Sequence, residues 1–371
     1  MRVIIAAAGT GGHINPGIAI ANKIKEENKD SDIRFIATGK KLEEDLISNA
    51  GYKSFAIDAY GFSKEISIDN IKKMYKTLKG YKQAKKILKE FKPNIVIGTG
   101  GYICGAVISS AKKLGIPTLL HESNAYPGLA IRMLQKKADT ILVGIKEAKN
   151  YLNKAKRVVY TGTPTKVEEI KMTGAKKTKL LKELGIENNL PIVLIFGGSQ
   201  GAKKINDCVT EILINKLNKN YNIIWGTGQG QYDEIKSKLK EKKINIDKVS
   251  NAVVLPYIYN MSEIMSVSDL IVARSGAMTL TELALLGKPA IFIPLPSSRA
   301  NRQEDNARVF ESKGAARIIL NNDVNKDNLN DMINDIISDR SVLKEMSLAS
   351  KKMAIYNVED KIYDEIKRLV G

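Results

Sequence analysis

The sequence contains few of the residues that build disulfide frameworks, metal sites or surfaces for stacking nucleobases. Its 371 residues include two cysteines, two histidines and one tryptophan, and aromatic residues make up 6%. Cys104 and Cys208 lie far apart, in or beside apolar segments, so we expect two buried free thiols and no disulfide or cysteine–metal site. A secreted, disulfide-stabilised scaffold is therefore excluded.

Long apolar runs are also missing. No run reaches the roughly 20 residues that span a bilayer, and the start MRVIIAAAGTGG has one basic residue before a turn, unlike a signal peptide. We therefore expect an intracellular protein. A single hydrophobic core rarely grows beyond about 250 to 300 residues, so the length predicts two domains.

The net charge of +19 suggests a nucleic-acid partner, but no RNA-binding or helix-turn-helix motif accompanies it. Most of the excess lies in residues 1–162. Residues 64–92 alone hold ten lysines against three acidic residues, with apolar residues at helical spacing between them. This pattern is typical of a helix that meets anionic lipid headgroups, although a solvated helix of a lysine-rich protein would look similar.

Short apolar segments alternate with helical, Lys/Glu-rich segments along the whole chain. The first series of predicted strands is VIIAAA (3–8), DIRFIA (32–37), NIVIGT (94–99), TLLHE (118–122) and TILVG (140–144). The second series is PIVLIFGG (191–198), YNIIWG (221–226), AVVLP (252–256), DLIVARSG (269–276) and PAIFIP (289–294). The alternation predicts two doubly wound α/β domains of Rossmann-like type, with ligands bound in the cleft between them.

The stretch GTGGHINPG (9–17) follows the first predicted strand. It is not a dinucleotide fingerprint, because Ile14 stands at the third glycine position and the second strand ends in Thr38 and Gly39 without an acid. A P-loop motif is absent as well. The stretch instead predicts a glycine turn that opens a helix near Pro16 and offers backbone amides to a polar ligand. His13 could accept a hydroxyl proton there, or simply cap the helix.

Two further strand ends in the second series have the composition of anion-binding turns. GGSQGAKKIN (197–206) combines glycines with the hydroxyl of Ser199, and RSGAMTLTE (274–282) combines a turn, a helix start and Glu282. Backbone N–H groups at such helix starts can bind a diphosphate, and the carboxylate could bind a ribose diol. Each turn alone is weak evidence, but together they suggest a diphosphate bound between helix starts.

Seven motifs occur in the order expected of one family. They are GTGGHINPG, GTGGYICGA (98–106), HESNAYPG (121–128), TGTP (161–164), GGSQGA (197–202), RSGAMTLTE and NRQEDNA (301–307). In these motifs the chain resembles the MurG family, the N-acetylglucosaminyltransferases of peptidoglycan synthesis in glycosyltransferase family 28. The likeness covers nearly the whole chain.

The resemblance implies a GT-B fold, in which two Rossmann-like domains face each other across a cleft. Residues 1–162 would form an acceptor and membrane-associating domain, residues 163–345 a donor domain, and residues 346–371 a helix packed on the first domain. The implied reaction moves N-acetylglucosamine, with inversion, from UDP-N-acetylglucosamine to the 4-hydroxyl of undecaprenyl-diphospho-N-acetylmuramoyl-pentapeptide. The family needs no metal or other cofactor and works at the cytoplasmic face of the cell membrane.

The resemblance also implies site residues by position. His13 would be the general base, or else a positioning group, and Asn124 would help to place the reacting groups. The implied contacts to UDP-N-acetylglucosamine are Thr10, Gly11, Gly12, Asn124, Lys166, Ser199, Ile258 through its backbone, Ala277, Met278, Thr279, Glu282 and Gln303. No nucleic-acid partner is implied, and the oligomeric state stays open.

Several positions depart from the family pattern. Lys166 stands where arginine is frequent and loses bidentate geometry. Arg302 replaces a frequent histidine, and Glu304 replaces a second glutamine found in some relatives, which leaves its role open. We expect His121 to be structural.

Two alternatives remain at this point. A UDP-N-acetylglucosamine 2-epimerase would share the fold and the nucleotide chemistry but would need no acceptor. A nucleic-acid-binding protein would use the +19 charge and respond little to UDP.

Overall fold

Two parallel β-sheets organise the chain in a computed structural model. The structure describes residues 1–59, 68–165, 172–296 and 301–371, with the backbone alone over 68–77. Unit 1 comprises Met1–Lys166 and Ile355–Gly371, and unit 2 comprises Val167–Ala354.

Unit 1 contains a seven-stranded sheet in the order β3-β2-β1-β4-β5-β6-β7, with every pairing parallel. Its strands are β1 (Arg2–Ala7), β2 (Asp32–Ala37), β3 (Lys53–Ala56), β4 (Ile95–Gly100), β5 (Thr118–Glu122), β6 (Thr140–Val143) and β7 (Val158–Tyr160). Its helices are α1 (Gly11–Glu27), α2 (Lys41–Asn49), α3 (Ile68–Phe91), α4 (Ile103–Lys113), α5 (Leu129–Leu134), a 3₁₀ helix (Lys146–Tyr151) and α14 (Val358–Val370).

The central strand β1 explains why both faces of this sheet are covered. Its side chains alternate between two apolar cores, as the period of two in a strand requires. Val3 and Ile5 face the core that includes α1 and α14, whereas Ile4 and Ala6 face the core that includes α3 and α4. A strand buried on both sides carries a continuous apolar sequence, which is why VIIAAA identifies it.

Helix α14 joins unit 1 although it ends the chain. Ile362 and Ile366 are buried in the same core as α1. The Arg157 guanidinium donates to both carboxylate oxygens of Glu365, at 3.0 and 2.6 Å. The predicted boundary at residue 346 falls inside α13 (Arg340–Lys352), which packs against α10 (Ala277–Leu286) of unit 2, and the change of unit comes at Ile355.

Unit 2 contains a six-stranded parallel sheet in the order β10-β9-β8-β11-β12-β13. Its strands are β8 (Ile192–Phe196), β9 (Asn222–Gly226), β10 (Ala252–Leu255), β11 (Leu270–Ala273), β12 (Ala290–Phe292) and β13 (Ala316–Ile318). Its helices are α6 (Gly174–Glu183), α7 (Lys203–Ile214), α8 (Gln229–Glu241), a 3₁₀ helix (Ile246–Lys248), α9 (Met261–Val267), α10 (Ala277–Leu286), α11 (Arg302–Ser312), α12 (Lys326–Ile337) and α13.

All ten predicted strands are present, within one or a few residues at their ends. Three strands were not predicted, namely β3, β7 and β13, and each lies at the edge of its sheet. Edge strands are buried less completely, and β3 (KSFA) and β13 (ARI) accordingly carry polar residues, whereas the apolar run of β7 (VVY) is only three residues long. No helix among the described residues combines the length and apolar character needed to cross a membrane.

Each sheet has one point at which the strand order reverses. In unit 1 the chain moves outward from β1 to β3 and restarts at β4 on the other side of β1, and in unit 2 the same reversal lies between β8 and β11. The helices that follow the two strands at such a switch point lie on opposite faces of the sheet. The turns between them leave a crevice at the carboxyl edge, where doubly wound folds bind their ligands.

Candidate active site

The GTGGH turn follows β1 at the switch point of unit 1. Thr10 is extended, with φ −137° and ψ 162°, and its carbonyl accepts the N–H groups of His13 at 3.0 Å and Ile14 at 3.2 Å. Helix α1 therefore begins at Gly11. The amides of Gly11 and Gly12 belong to its first turn, where no carbonyl of the same helix is available, so they can bind an anionic or polar group.

Helix α1 begins earlier than the sequence suggested. Pro16 was expected in the first turn, but it lies inside the helix and is buried. A proline there has no N–H for the carbonyl four residues before it, which is that of Gly12. The two bonds that the His13 and Ile14 N–H groups donate to the Thr10 carbonyl set the start of the helix instead.

His13 is held by the last two residues of β4. The Thr99 hydroxyl donates to the His13 carbonyl at 2.7 Å. Gly100 has φ +129°, and a Cβ built on it would overlap the His13 imidazole. The ring therefore lies directly against the Gly100 backbone, half-buried. The motif GTGGYICGA thus shapes the surroundings of His13, a role that the sequence alone did not reveal.

Asn124 is fixed by a buried carboxylate two residues before it. Glu122 accepts from the Asn124 backbone N–H at 2.9 Å and from its Nδ2 at 2.8 Å. The other oxygen of Glu122 accepts from the Gly128 N–H at 2.6 Å. Glu122 closes the loop after β5 and turns the amide nitrogen of Asn124 inward, which the motif HESN did not indicate.

His121 is fully buried in β5, as a structural role requires. Its Nε2 lies 3.1 Å from the Gly162 carbonyl and its Nδ1 lies 3.4 Å from the Ser123 hydroxyl. Burial lowers the pKa of His121, so the ring is neutral near pH 7. The side chain links the HESN turn to the TGTP turn.

The GGSQGA turn follows β8 at the switch point of unit 2. The Gly201 N–H donates to the Gly198 carbonyl at 2.9 Å, and Ser199 at the tip is exposed. A Cβ on Gly201 would overlap the Thr227 carbonyl oxygen. This turn therefore packs backbone to backbone against the start of α8, and only glycine permits that approach.

Asn206 ties the same turn region to its neighbours from a fully buried position. Its Nδ2 donates to the Thr227 carbonyl at 2.8 Å and to the Gln231 Oε1 at 2.9 Å, and its Oδ1 accepts from the Trp225 indole at 3.0 Å. The Gln231 Nε2 in turn donates to the Gln200 carbonyl at 3.2 Å. This network fixes the position of the exposed tip.

Helix α10 follows β11 and starts at the same switch point. Ala277, Met278 and Thr279 are its first three residues and are half-buried. Their amides lie in the first helical turn, where the helix dipole favours negative charge. Burial raises the pKa of Glu282, one turn further on, to about 7. This carboxyl group thus changes charge within the physiological range.

Gln303 lies near the start of α11, after β12. Its Oε1 accepts from the Leu295 N–H at 2.9 Å, and its carbonyl accepts from the buried Ser275 hydroxyl at 2.7 Å. The second bond joins the turns after β11 and β12. The Oε1 atom of Glu304 forms an ion pair with the Arg308 Nη2 at 3.2 Å.

Ile258 lies in the loop after β10 and its side chain is buried. Tyr257 and Tyr259 flank it, with ring centroids 4.9 Å apart. Because the Ile258 side chain packs inward, only its backbone is available for recognition of a ligand edge.

The predicted residues thus gather at the carboxyl edges of the two sheets, each unit taken by itself. In unit 1, Thr10, Gly11, Gly12, His13 and Asn124 follow β1 and β5, which flank β4. In unit 2 the turns after β8, β10, β11 and β12 carry Ser199, Ile258, Ala277, Met278, Thr279, Glu282 and Gln303. Lys166 lies outside the described residues.

Asp30 and Asp32 have the spacing of a metal-binding DxD pair, but they lie elsewhere. They precede or begin β2, at the amino edge of the sheet, and Asp32 accepts from Arg34 at 3.0 Å. Among the described residues, no group of three His, Cys, Asp or Glu side chains is arranged to hold a metal ion.

Two doubly wound units with a glycine turn and a helix start at each switch point define the framework of a GT-B enzyme. Solved structures confirm this class. The chain is similar to MurG of Acinetobacter baumannii, with a TM-score of 0.76 at 27% identity, covering 99% of this chain and 100% of that chain. It shares the fold alone with a UDP-GlcNAc 2-epimerase from Neisseria meningitidis, with a TM-score of 0.65 at 17% identity over 99% and 100% of the two chains.

Sequence similarity assigns the chain to one family within this class. Residues 3–143 match the glycosyltransferase family 28 N-terminal domain, and residues 192–362 match the C-terminal domain. The chain belongs to glycosyltransferase family 28.

Named relatives match along their whole length. A protein of Ruminiclostridium cellulolyticum is 41% identical over 370 residues, covering 100% of both chains, and one of Acetivibrio thermocellus is 40% identical over 371 residues, covering 100% of this chain and 98% of that one. Both are named UDP-N-acetylglucosamine–N-acetylmuramyl-(pentapeptide) pyrophosphoryl-undecaprenol N-acetylglucosamine transferase. The resemblance found in the motifs is thereby confirmed.

We predict that Gly100→Ala destabilises the protein by about 1–3 kcal/mol, because the new methyl group must displace the His13 ring and the backbone has positive φ. Urea unfolding measures the change. Gly105→Ala is the matched control, since it lies inside α4 with no atom of the described residues within 4 Å of the added Cβ, and should stabilise by about 0.5–1 kcal/mol. Equal stability of both variants would show that His13 does not depend on the close approach.

Proposed function

We propose that the protein transfers N-acetylglucosamine from UDP-N-acetylglucosamine to the 4-hydroxyl of undecaprenyl-diphospho-N-acetylmuramoyl-pentapeptide. The observation that carries the proposal is the full-length similarity to transferases of that name. The helix starts and glycine turns at both switch points support it, because they suit a diphosphate and a reacting sugar.

Unit 2 would bind the donor. The amides at the GGSQGA turn and the start of α10 would bind the diphosphate, together with the Ser199 hydroxyl. Glu282 would accept from the ribose hydroxyls, and the Ile258 backbone would pair with the uracil edge. Gln303 would donate to the sugar from Nε2, because its Oε1 already accepts from Leu295.

Unit 1 would supply the groups that act on the acceptor. His13 would take the proton of the attacking 4-hydroxyl while the new bond forms at C1 of N-acetylglucosamine and the bond from C1 to UDP breaks. Histidine suits this task near neutral pH. Thr10, Gly11, Gly12 and Asn124 would contact the donor sugar and fix the reacting groups, and Lys166 would add a positive charge.

The leaving UDP must be stabilised as negative charge develops on it. Preorganised backbone amides and the positive end of a helix dipole can do this without a metal ion. Each such donor, when removed, typically costs about 100- to 1,000-fold in rate. We propose that the amides of the turns after β8 and β11 are these donors.

The proposed transfer predicts that the purified protein releases UDP from UDP-N-acetylglucosamine in EDTA only when a lipid-linked muramoyl-peptide acceptor is present. His13→Ala should lower kcat by at least about 100-fold, because it removes the base. Coupled detection of UDP measures both.

Two other outcomes would contradict the proposal. Release or isomerisation of the sugar without acceptor would indicate an epimerase. No release under either condition, with UDP bound weakly, would leave the transferase without support, and a nucleic-acid-binding assay would then test the use of the net charge.

A second prediction concerns pH. The ionised carboxylate of Glu282 can accept from both ribose hydroxyls through both oxygens, whereas the protonated form uses one oxygen as a donor, and burial raises the pKa to about 7. The dissociation constant for UDP-N-acetylglucosamine should therefore be about tenfold higher at pH 6 than at pH 8. This donor carries no phosphate group that titrates near neutral pH, so calorimetric titration reports the protein.

Glu282→Gln should remove most of this pH dependence, since the amide does not titrate. A wild-type affinity that is constant from pH 6 to pH 8, or an unchanged slope in Glu282→Gln, would exclude Glu282 as the titrating contact.

We further propose that unit 1 docks on the cytoplasmic face of the cell membrane, where a lipid-linked acceptor would be presented. In the described part of α3, Leu78 is 59% exposed, and Lys82, Lys86 and Lys89 are exposed as well. Met133 on α5 is 70% exposed. Apolar side chains among lysines are typical of a surface that meets anionic headgroups.

Charge reversal tests this surface. The sequence suggests Lys72, Lys73, Lys76 and Lys79, but the first three side chains lie outside the described residues and Lys79 pairs with Asp58 at 2.8 Å. Replacing Lys82, Lys86 and Lys89 with glutamate avoids that ion pair. We expect at least tenfold weaker binding to phosphatidylglycerol vesicles, at about 1 kcal/mol per lysine, with unchanged turnover of a short-chain soluble acceptor.

The matched control reverses three exposed lysines of unit 2, Lys176, Lys182 and Lys236. Equal loss of vesicle binding in both triple variants would show that net charge, not this surface, governs the association. Loss of turnover with the soluble acceptor would show damage to the fold.

A further inference from the structure

Glu43 is a fully buried carboxylate that no predicted role includes. It lies in the first turn of α2, beyond the end of β2. Its Oε1 accepts from the Gly9 N–H at 2.8 Å, and its Oε2 accepts from the Thr38 N–H and the Thr38 hydroxyl, both at 2.7 Å. Three donors from two different strand ends thus converge on one side chain.

The position of this carboxylate is informative. In dinucleotide-binding folds an acid near the end of β2 bonds a ribose. Here the strand ends without one, and Glu43 from the following helix reaches the same edge of the sheet. Its oxygens are directed at the protein's own backbone, so they serve the turn instead of a ligand.

We infer that Glu43 is a positioning residue for the GTGGH turn and, through it, for His13. The turn would be fixed at both ends. Glu43 holds Gly9, which has φ +103°, and the Thr99 hydroxyl holds the His13 carbonyl at 2.7 Å. Between these two anchors lie Thr10, Gly11 and Gly12, the start of α1.

Loss of the hydrogen bond from the Gly9 N–H to Glu43 should change the geometry of the turn more than the stability of the fold. The Gly9 N–H would then lack its acceptor, and the turn could rotate about the flexible Gly9 backbone. A displacement of about 1 Å in a catalytic group can lower a rate about 100-fold. The inference rests on the proposed transfer, because it assigns Glu43 to the turn that carries the proposed base.

Glu43→Gln is the sharpest variant. Glutamine has the same shape but only one acceptor oxygen, so it cannot accept from both Gly9 and Thr38 through separate oxygens. Glu44→Gln is the matched control, since Glu44 is the next residue of the same helical turn and is exposed. Both variants remove one negative charge.

Two readouts separate positioning from a merely structural role. The first is kcat for acceptor-dependent UDP release, which should fall about 10- to 100-fold in Glu43→Gln and stay within twofold in Glu44→Gln, with UDP affinity unchanged. The second is the NMR spectrum of histidine-labelled protein. The chain has only two histidines, so His13→Ala assigns both imidazole signals.

In Glu43→Gln the His13 signal should move while the signal of buried His121 stays in place. An unmoved His13 signal with wild-type kcat would overturn the inference. Movement of both signals would also overturn it, because Glu43 would then support the whole unit.

Should Glu43→Gln fail to fold, Thr38→Val gives the same test in milder form. It removes one of the two bonds to Oε2 and leaves the Gly9 bond. A smaller movement of the His13 signal alone, with kcat reduced up to about threefold, supports the inference, and no movement overturns it. If wild-type protein shows no acceptor-dependent release, the proposed function fails, while the NMR comparison still decides whether Glu43 positions His13.

Discussion

Both candidate sites depend on one steric constraint near the points where the strand order reverses. There a backbone segment must approach another backbone segment, or the His13 ring, more closely than a Cβ atom would allow. In unit 1 the His13 ring lies where a Cβ of residue 100 would be. In unit 2 the Thr227 carbonyl oxygen lies where a Cβ of residue 201 would be. Because these contacts are made by the chain itself, the helices that follow begin at fixed positions, and their first amides point to the carboxyl edge.

The acidic residues near these turns divide into two groups by what they face. Glu43 and Glu122 are buried, and each accepts three hydrogen bonds from neighbouring strand ends or loops. All of these hydrogen bonds come from groups of the protein itself. Glu282 differs, because burial raises its pKa and no charged neighbour among the described residues lowers it. Hydrogen bonds donated by a ligand would strongly stabilise the ionised form of such a buried carboxyl group.

Much of the fold could be predicted from sequence because a strand covered on both faces must be apolar throughout. DIRFIA and TLLHE match β2 and β5 residue for residue. The strand KSFA could not be predicted in this way, since β3 lies at a sheet edge and only one of its four residues is even half-buried. The position of Pro16 predicted the wrong start for α1, because that start is set by bonds to the Thr10 carbonyl and not by the proline.

The candidate site divides similarly. Glycine turns and helix starts are local features, so GTGGH, GGSQGA and RSGAM identified their positions. The partners of those turns are not local. Thr99 is 86 residues from His13 and Glu43 is 34 residues from Gly9. Such pairs exist only because parallel strands bring their carboxyl ends together, and the side chains themselves carry no distinguishing pattern.

We propose that the turns at the switch points bind the donor. Hydrogen–deuterium exchange of the full chain with and without UDP-N-acetylglucosamine tests it most directly. We expect slower exchange at residues 197–202 and 276–279, the turns after β8 and β11, with little change at the amino edge of the same sheet. Protection confined to other segments, or absent at both turns while the donor is bound, would contradict it.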